Sequence, residues 1–209
     1  AELIVGCKGI ANFLLKVFGK AYHSSEPHKG VNAIYRAVNF IEKFRQLEFP
    51  SINKPVKGSS TASITKINTD GWSTMVPDRC ELVINYRAVP SERIDEIESR
   101  LRRVAYKSLK KEYELSLAAF QEGYLLDPTE EIVKVARDSV VESGFKCTMS
   151  IAKGWEDAAE FHNSAGIPII GLGPTTPGQA HVKDEYEDVD NLVYGSEIVL
   201  RTALNYLGK

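Results

Sequence analysis

Residues 19–34, GKAYHSSEPHKGVNAI, join a predicted strand to a predicted amphipathic helix through a polar turn. The turn holds two histidines, His23 and His28, and Asn32 stands where the helix is predicted to start. Connecting loops carry Gly, Pro, Asn and Ser to shape the backbone, but two imidazoles before a helix are less usual. The turn is therefore either a ligand-binding segment or a solvated loop with incidental histidines, and the local sequence leaves both open.

The segments around this turn predict a split βαβ arrangement. Residues 10–21 are apolar over strand length, and helical spacing of apolar residues follows from Val31 until Pro50. Two strands are predicted at residues 61–68 and 80–87, a helix from Pro90-Ser91, and a further strand at residues 113–121. The order β-α-β-β-α-β predicts a ferredoxin-like domain over residues 10–122.

The remaining residues, 123–209, predict an α/β layer. Asp127-Pro128 is predicted to begin a helix, as N-cap and first helical residue. A strand at residues 146–151, a short helix at 157–164, a strand at 167–172 and a helix at 189–207 follow. About two strands are too few to form an independent sheet that is covered on both faces. We therefore expect these residues to form the end of a sheet that begins elsewhere.

Composition excludes several classes of protein. The chain has 209 residues, 43% hydrophobic and 26% charged, which is typical of a globular protein. Its net charge of −2, without a basic stripe, argues against nucleic acid as a partner, and no apolar segment approaches the roughly 20 residues of a membrane span. Three widely spaced cysteines argue against a disulfide framework and predict a cytoplasmic protein. The start AELIVG, without Met, suggests a chain entered partway through a protein, although tag removal or Met processing gives the same start.

A second candidate segment, GLGPTTPGQAHVKDE at residues 171–185, follows a predicted strand. Loops in this position bind ligands in α/β folds. His181 is either a metal ligand, oriented by Asp184 or Glu185, or a structural or exposed histidine. A hydrolytic zinc site needs at least three protein ligands, and the four histidines form no H-x-H or H-E-x-x-H motif. The chain therefore does not obviously build such a site alone, and no G-x-S-x-G motif indicates a serine nucleophile.

Other polar residues allow two interpretations each. Arg87, on the more polar face of its strand, either pairs with Glu81 or Glu92 or holds a substrate carboxylate. Asp157 either caps the short helix or lines a site, and His162 in that helix is predicted to be structural or at the surface.

Taken together, these motifs resemble the two-metal amidohydrolases and exopeptidases that include acetylornithine deacetylase, succinyl-diaminopimelate desuccinylase, aminoacylase and bacterial glutamate carboxypeptidase. GKAYHSS with GVNAI, and VPDRC with YR at residues 86–87, resemble the family's lid motifs. GWEDA at residues 154–158, GIP at 166–168, GP at 173–174 and AHVKDE at 180–185 resemble the end of its catalytic domain. The motifs occur in the family's order over nearly the whole chain.

The resemblance implies an α/β metallopeptidase fold with an inserted α+β lid, a ferredoxin-like βαββαβ domain that also dimerises. Residues 1–9 would be a linker or strand from the catalytic domain, residues 10–122 the lid, and residues 123–209 the C-terminal part of the catalytic domain. The family's other metal ligands and its catalytic Glu precede the lid, and none is present here. The chain therefore resembles the C-terminal half of such an enzyme, incomplete and inactive by itself.

The resemblance also implies roles for single residues. His23 would polarise the scissile carbonyl across a homodimer, as an oxyanion-type donor. Asn32 and Arg87 would hold the carboxylate end of the substrate, helped by the loop at Gly173 and Pro174. His181 would be the last ligand of one of two divalent metal ions, zinc or cobalt, and a metal-bound hydroxide would attack the amide of an N-acyl amino acid or dipeptide.

Some positions depart from the family pattern. Trp155 and Glu156 stand where small hydroxyl residues are common, and Asn85 stands where Asp is common. The alternative function is a noncatalytic dimerisation and assembly module that works without metal, which the missing ligands favour for this chain in isolation.

Overall fold

A computed structural model describes residues 1–174, 176, 178–179 and 182–208. The helices and strands follow one another in this order: β1 (Glu2–Cys7), β2 (Gly9–Phe18), β3 (Tyr22–His23), a 3₁₀ turn (Pro27–Lys29), α1 (Ala33–Phe44), β4 (Ser51–Ile52), β5 (Gly58–Ser59), β6 (Thr61–Asn68), β7 (Met75–Val76), β8 (Arg79–Ala88), α2 (Ile94–Leu109), β9 (Tyr113–Gln121), β10 (Tyr124–Leu125), α3 (Glu131–Glu142), β11 (Thr148–Ala152), α4 (Ala158–Ala165) and α5 (Val189–Leu207).

The chain forms two compact units. The first unit comprises Ala1–Lys8, Ile52–Gly58 and Gly123–Lys209, and the second comprises Gly9–Ser51 and Ser59–Glu122. Residues 52–58 lie inside the range predicted for the lid, and in the structure Val56 packs in the hydrophobic core of the first unit. The chain therefore leaves the second unit and returns to it between α1 and β6.

The second unit is the predicted ferredoxin-like domain. Its four-stranded sheet has the order β6-β8-β2-β9, with every neighbouring pair antiparallel. Alternate residues of β2 and β8 are buried, so each strand presents one apolar face to a core that also contains Phe40 of α1 and Leu101 of α2. The other face, which carries Arg87, is partly exposed. The predicted alternation of β8 and the ferredoxin-like fold are confirmed.

Helix α2 begins at Ile94, and its predicted start at Pro90-Ser91 was wrong. The buried Glu92 carboxylate accepts hydrogen bonds from Ser60 Oγ at 2.6 Å and from the Tyr86 hydroxyl at 2.8 Å. Arg93 is the N-cap of α2, and its backbone N–H donates to Glu96 Oε2 at 3.2 Å. The conformation of the turn before the helix is thus determined by the hydrogen bonds of the buried Glu92. Its partners are distant in sequence, so the local sequence does not reveal them.

The first unit is built around β1. This strand pairs in parallel with β11 and antiparallel with β10, and Leu3, Val5 and Cys7 are fully buried. Residues 2–7 therefore form the middle strand of a three-stranded sheet. The predicted strand at residues 146–151 corresponds to β11, and the predicted helix at residues 189–207 has the bounds of α5.

Two predictions for the first unit were wrong. Helix α3 begins at Glu131, because Asp127 Oδ1 accepts hydrogen bonds from the Thr129 N–H at 2.7 Å and its hydroxyl at 2.6 Å, forming a local turn instead of a helix cap. Residues 167–172 form no strand in the described part of the chain, where Gly171 only bridges Ile4 through two 2.8 Å backbone bonds. Among the described residues, no helix is long and apolar enough to cross a membrane.

Candidate functional site

The histidine turn of the second unit is closed at its base by backbone pairing. Lys20 and Val31 form an antiparallel bridge, with N···O distances of 2.8 and 2.9 Å. Gly19 lies so close to this bridge that an added Cβ would be 2.1 Å from the Val31 carbonyl oxygen. A side chain at this position would force the base of the turn apart, so glycine is required there.

The turn also rests on the second lid motif, which lies far away in sequence. Strand β3 pairs with β7, so that His23 lies opposite Met75. The Ser24 N–H donates to the Thr74 carbonyl at 2.9 Å, and the Ala33 N–H donates to the Pro77 carbonyl at 2.8 Å. These bonds hold the segment 19–34 against residues 74–77 at two points, one inside the turn and one at the start of α1.

The ring of His23 has a defined hydrogen-bonding state. Its Nδ1 atom lies 3.2 Å from the backbone nitrogen of Ser25, which donates, and 2.7 Å from the Ser25 hydroxyl oxygen. A backbone N–H can only donate, so Nδ1 is an acceptor and the proton of the neutral ring is on Nε2. Because His23 is exposed, its Nε2–H is available to donate to a ligand. His28, the other histidine of the turn, lies exposed in the 3₁₀ turn.

Asn32 has one half of its amide engaged. It is the N-cap of α1, and its Oδ1 accepts from the Ile34 N–H at 2.8 Å and the Tyr35 N–H at 3.3 Å. The carbonyl side is thus used by the helix, whereas the Nδ2 group retains its donor hydrogens. A group that can only donate suits a carboxylate ligand.

Arg87 extends from the polar face of the sheet. Its Nε donates to Asn85 Oδ1 at 3.1 Å, and Asn85 Nδ2 donates to Asn12 Oδ1 at 2.8 Å on the neighbouring strand. Asn12 and Asn85 are direct partners in the register of β2 and β8. The guanidinium is therefore oriented by a neutral amide, which leaves its positive charge uncompensated by this contact.

The ion pairs that the sequence suggested for Arg87 are not formed among the described residues. Glu81 pairs with Arg79 instead, and the side chain of Glu92 is 2% exposed and pairs with Arg100. Of the two interpretations of Arg87, the pairing with Glu81 or Glu92 was wrong. The carboxylate-binding interpretation remains a prediction.

The candidate residues of the first unit are only partly described. Pro174 contacts α5 so closely that a Cβ added at Gly195 would lie 2.7 Å from its Cδ. Gly173 precedes it and is exposed. His181, the predicted metal ligand, lies outside the described residues. Within the described ranges no three His, Cys, Asp or Glu side chains are grouped to hold a metal ion, so these residues alone do not fit a complete metal site.

His162 is a structural residue, as predicted. Its ring lies 4.9 Å from the ring of Tyr124, and its Nδ1 is 3.0 Å from the Ile167 carbonyl oxygen, to which it donates. Burial raises the pKa of Tyr124 to about 12, so its hydroxyl stays protonated and donates to the Ile169 carbonyl at 3.0 Å. Asp157 occupies the N-cap position of α4 without a side-chain cap bond, so its predicted capping role was wrong.

Two other titratable groups of the first unit are shifted by their surroundings. Burial raises the pKa of the Cys7 thiol, and it also raises the pKa of the Glu156 carboxyl. Cys7 is fully buried, so it is neither an accessible nucleophile nor a metal ligand. Glu156 stands in the motif GWEDA at residues 154–158.

Sequence reasoning missed two contributors to the site. Ser25 was assigned no role, although its N–H and hydroxyl both contact His23. Asn12 was assigned no role, because its position beside Asn85 follows from the strand register and not from any local motif. The available signal was an asparagine, Asn12, within the largely apolar segment that forms β2.

Comparison with known proteins identifies the second unit. Residues 5–112 match the peptidase dimerisation domain of the M20 family. The putative succinyl-diaminopimelate desuccinylase of Mycobacterium tuberculosis is 25% identical over 207 residues, covering 97% of this chain and 54% of the relative. Acetylornithine deacetylase of Myxococcus xanthus is 22% identical over 211 residues, covering 96% of this chain and 54% of the relative.

A solved structure shows the same fold. Aminopeptidase PepT from Bacillus cereus superposes with a TM-score of 0.78 at 20% identity, covering 100% of this chain and 54% of that one. The chain thus spans about half the length of the proteins it matches, and it corresponds to their C-terminal part. Because the dimerisation domain alone occupies about half of these 209 residues, the chain belongs to the M20 peptidase family.

Proposed function

We propose that these residues form the lid and the C-terminal part of the catalytic domain of a metal-dependent amidohydrolase. The substrate is an N-acyl amino acid, of the kind a deacetylase or desuccinylase cleaves, or a dipeptide. The observation that carries the proposal is the state of His23, whose Nδ1 accepts from Ser25 while its exposed Nε2–H is available. A fixed donor of this kind stabilises the oxyanion that develops when an amide carbonyl is attacked.

The donors of Asn32 and Arg87 are assigned to the carboxylate end of the substrate. Asn32 offers only N–H groups, since its oxygen caps α1. Arg87 is oriented through a neutral asparagine, and its guanidinium matches the fork geometry of a carboxylate. The loop at Gly173 and Pro174 is proposed to contact the same end of the substrate.

The M20 family implies divalent metal ions, which we propose to be two zinc or cobalt ions with His181 as one ligand. Since the described residues do not group three ligands, the other ligands must come from outside them. The dimerisation domain supports a homodimer formed through the second unit. Three free cysteines support a reducing compartment such as the cytoplasm.

A chimera tests this function. The part of Myxococcus xanthus acetylornithine deacetylase that precedes its matched region is fused to Ala1, and the purified protein is assayed with N-acetylornithine, N-succinyl-diaminopimelate and dipeptides. We expect metal-dependent hydrolysis of at least one substrate. His23→Ala should lower kcat by about 100-fold or more without changing the metal content, whereas an unchanged kcat would remove the role given to His23.

One observation favours a second function, a noncatalytic dimerisation module. No metal-binding group of three ligands occurs among the residues that the structure describes. Under this alternative the chimera would dimerise but would hydrolyse none of the substrates at any metal concentration.

A further inference from the structure

Two asparagine amides tie Arg87 to the neighbouring strand in a fixed direction. Arg87 Nε donates to Asn85 Oδ1, and Asn85 Nδ2 donates to Asn12 Oδ1. Because an arginine can only donate, the amide of Asn85 must turn its oxygen toward Arg87 and its nitrogen toward Asn12. Asn12 then accepts through its oxygen and keeps its Nδ2 hydrogens. Neither amide can be turned round without losing a hydrogen bond, so Asn85 is held from both sides.

The sheet surrounds this pair of contacts with neutral side chains. The residues in register with Arg87 and Asn85 across the four strands are all uncharged: Thr61, Ser63, Ile10, Asn12, Gln121 and Ala119. Strands β8 and β9 also carry Glu81 and Glu114, but both of these are in register with Lys16 at the far end of the strands. The positive charge of the half-buried Arg87 therefore has no counterion in these rows of the sheet.

The neutrality of the partner bears on what Arg87 can bind. A carboxylate partner would orient the guanidinium equally well, but it would also offset the positive charge that attracts an anionic ligand. An amide partner orients the group and leaves its charge whole. The contact with Asn85 uses Nε, so both Nη groups remain for a two-pronged contact with a carboxylate.

We propose that Asn85, held in place by Asn12, positions Arg87 and makes this part of the site select a carboxylate over an uncharged carboxamide. Asn85 and Asn12 are positioning residues, and only Arg87 contacts the ligand. The proposal rests on the proposed function in assigning Arg87 to the carboxylate end of the substrate. It adds the two residues that orient the guanidinium and the property, neutrality, by which they set its selectivity.

Hydrogen exchange of the Arg87 Nε–H in the 209-residue chain, followed by heteronuclear NMR, tests the positioning role. Asn85→Ala removes the acceptor and should speed this exchange at least about tenfold. Asn12→Ala keeps the acceptor but releases its other side, so the exchange should speed up less, about threefold. Ser116→Ala, at an exposed position of β9 in the same sheet, is the control and should leave the exchange rate unchanged.

Titration of the 209-residue chain with N-acetylglycine and with N-acetylglycinamide, followed through the same Arg87 signal, tests the selectivity. Wild type should bind the carboxylate at least about fivefold more tightly than the carboxamide. Asn85→Asp keeps an acceptor for Arg87 but adds a charge beside it, and should lower this preference about fivefold; Asn12 can turn its amide to donate to the new carboxylate. Asn12→Asp places the charge one residue farther away and should lower the preference less. Ser116→Asp adds the same charge two strands from Arg87 and should keep the preference within about twofold.

Three results would overturn the proposal. Asn85→Ala could leave the exchange of the Nε–H unchanged, or wild type could bind the two ligands equally. Ser116→Asp could also lower the preference as much as Asn85→Asp, which would make selectivity a matter of net charge. These measurements need neither metal nor hydrolysis. A carboxylate preference in a chain whose chimera hydrolyses nothing would therefore refute the proposed function alone, and hydrolysis by the chimera without that preference would refute the role of Asn85 alone.

Discussion

Replacing Arg100 with Met should destabilise the second unit strongly. Arg100 Nη1 donates to the Tyr86 hydroxyl at 2.8 Å and pairs with Glu92, whose side chain is 2% exposed. Burial and the nearby Glu92 raise the pKa of Tyr86, so its hydroxyl stays protonated and offers Glu92 a hydrogen bond but no compensating charge. Arg100→Met would leave a buried carboxylate without a counterion.

The structure sets the expected magnitude. Removing one partner of a buried ion pair costs about 3–5 kcal/mol, and we expect about 3 kcal/mol because the side chain of Arg100 is itself 22% exposed. Combining Arg100→Met with Glu92→Gln removes the orphan charge but keeps hydrogen-bonding atoms for Ser60 and Tyr86. The double variant should therefore cost less, about 1–2 kcal/mol.

Urea unfolding of the 209-residue chain measures these costs, provided that the m-value stays constant. Arg103→Met is the matched control, since Arg103 is exposed on the same helix and its loss should cost under about 0.5 kcal/mol. The reasoning fails if Arg100→Met costs no more than the control. It also fails if the double variant is less stable than Arg100→Met alone.

Three further predictions concern the histidine turn, the start of α5 and the core. Ser25→Ala in the chimera removes the 2.7 Å contact to His23 and should lower kcat about threefold to tenfold, with Ser25→Thr restoring it; an unchanged kcat would contradict this. Hydrogen bonds from Thr176 and Asn191 lower the pKa of Glu187 to about 2 from 4.5, so the stability it contributes is present above pH 4.5 and is lost as the pH falls toward 2. Thermal unfolding followed by circular dichroism should show a weaker loss between pH 6 and pH 3 for Glu187→Gln than for wild type, and equal losses would refute the assignment. Phe13→Ala, at a fully buried position of β2, should cost about 3–5 kcal/mol in urea unfolding, and a cost under about 1 kcal/mol would contradict the assigned core.

Periodicity predicted the elements that bury one face along their whole length. Strand β8 alternates strictly, because one face meets the core and the other is partly exposed, and this alternation is visible in the sequence. The ferredoxin-like order followed from four such segments and two amphipathic helices. Local patterns were sufficient here because each element packs on a single core.

Predictions failed where a distant partner or a competing local bond decides the structure. Residues 167–172 are apolar enough for a strand, but only Gly171 meets a backbone partner in the described part of the chain. Asp127 was expected to cap a helix, and its carboxylate instead bonds to Thr129 within a turn. Residue type alone does not distinguish these outcomes.

The candidate site was predictable in its residue types but not in its geometry. His23, Asn32 and Arg87 were singled out from motifs, whereas the tautomer of His23 depends on how the Ser25 backbone folds back toward the ring. The contact between Arg87 and Asn85 could be read from their spacing of two on one strand face. Its continuation to the neighbouring strand requires the register, which sequence alone leaves open.

Metal stoichiometry measured by calorimetry tests the central claim most directly. The 209-residue chain, its His181→Ala variant and the chimera would each be titrated with zinc and with cobalt. We expect no tight site in the chain alone and two tightly bound ions in the chimera, since the remaining ligands come from the preceding half of the enzyme. Two ions bound tightly by the chain alone, and lost in His181→Ala, would contradict the claim that it supplies only part of the metal centre.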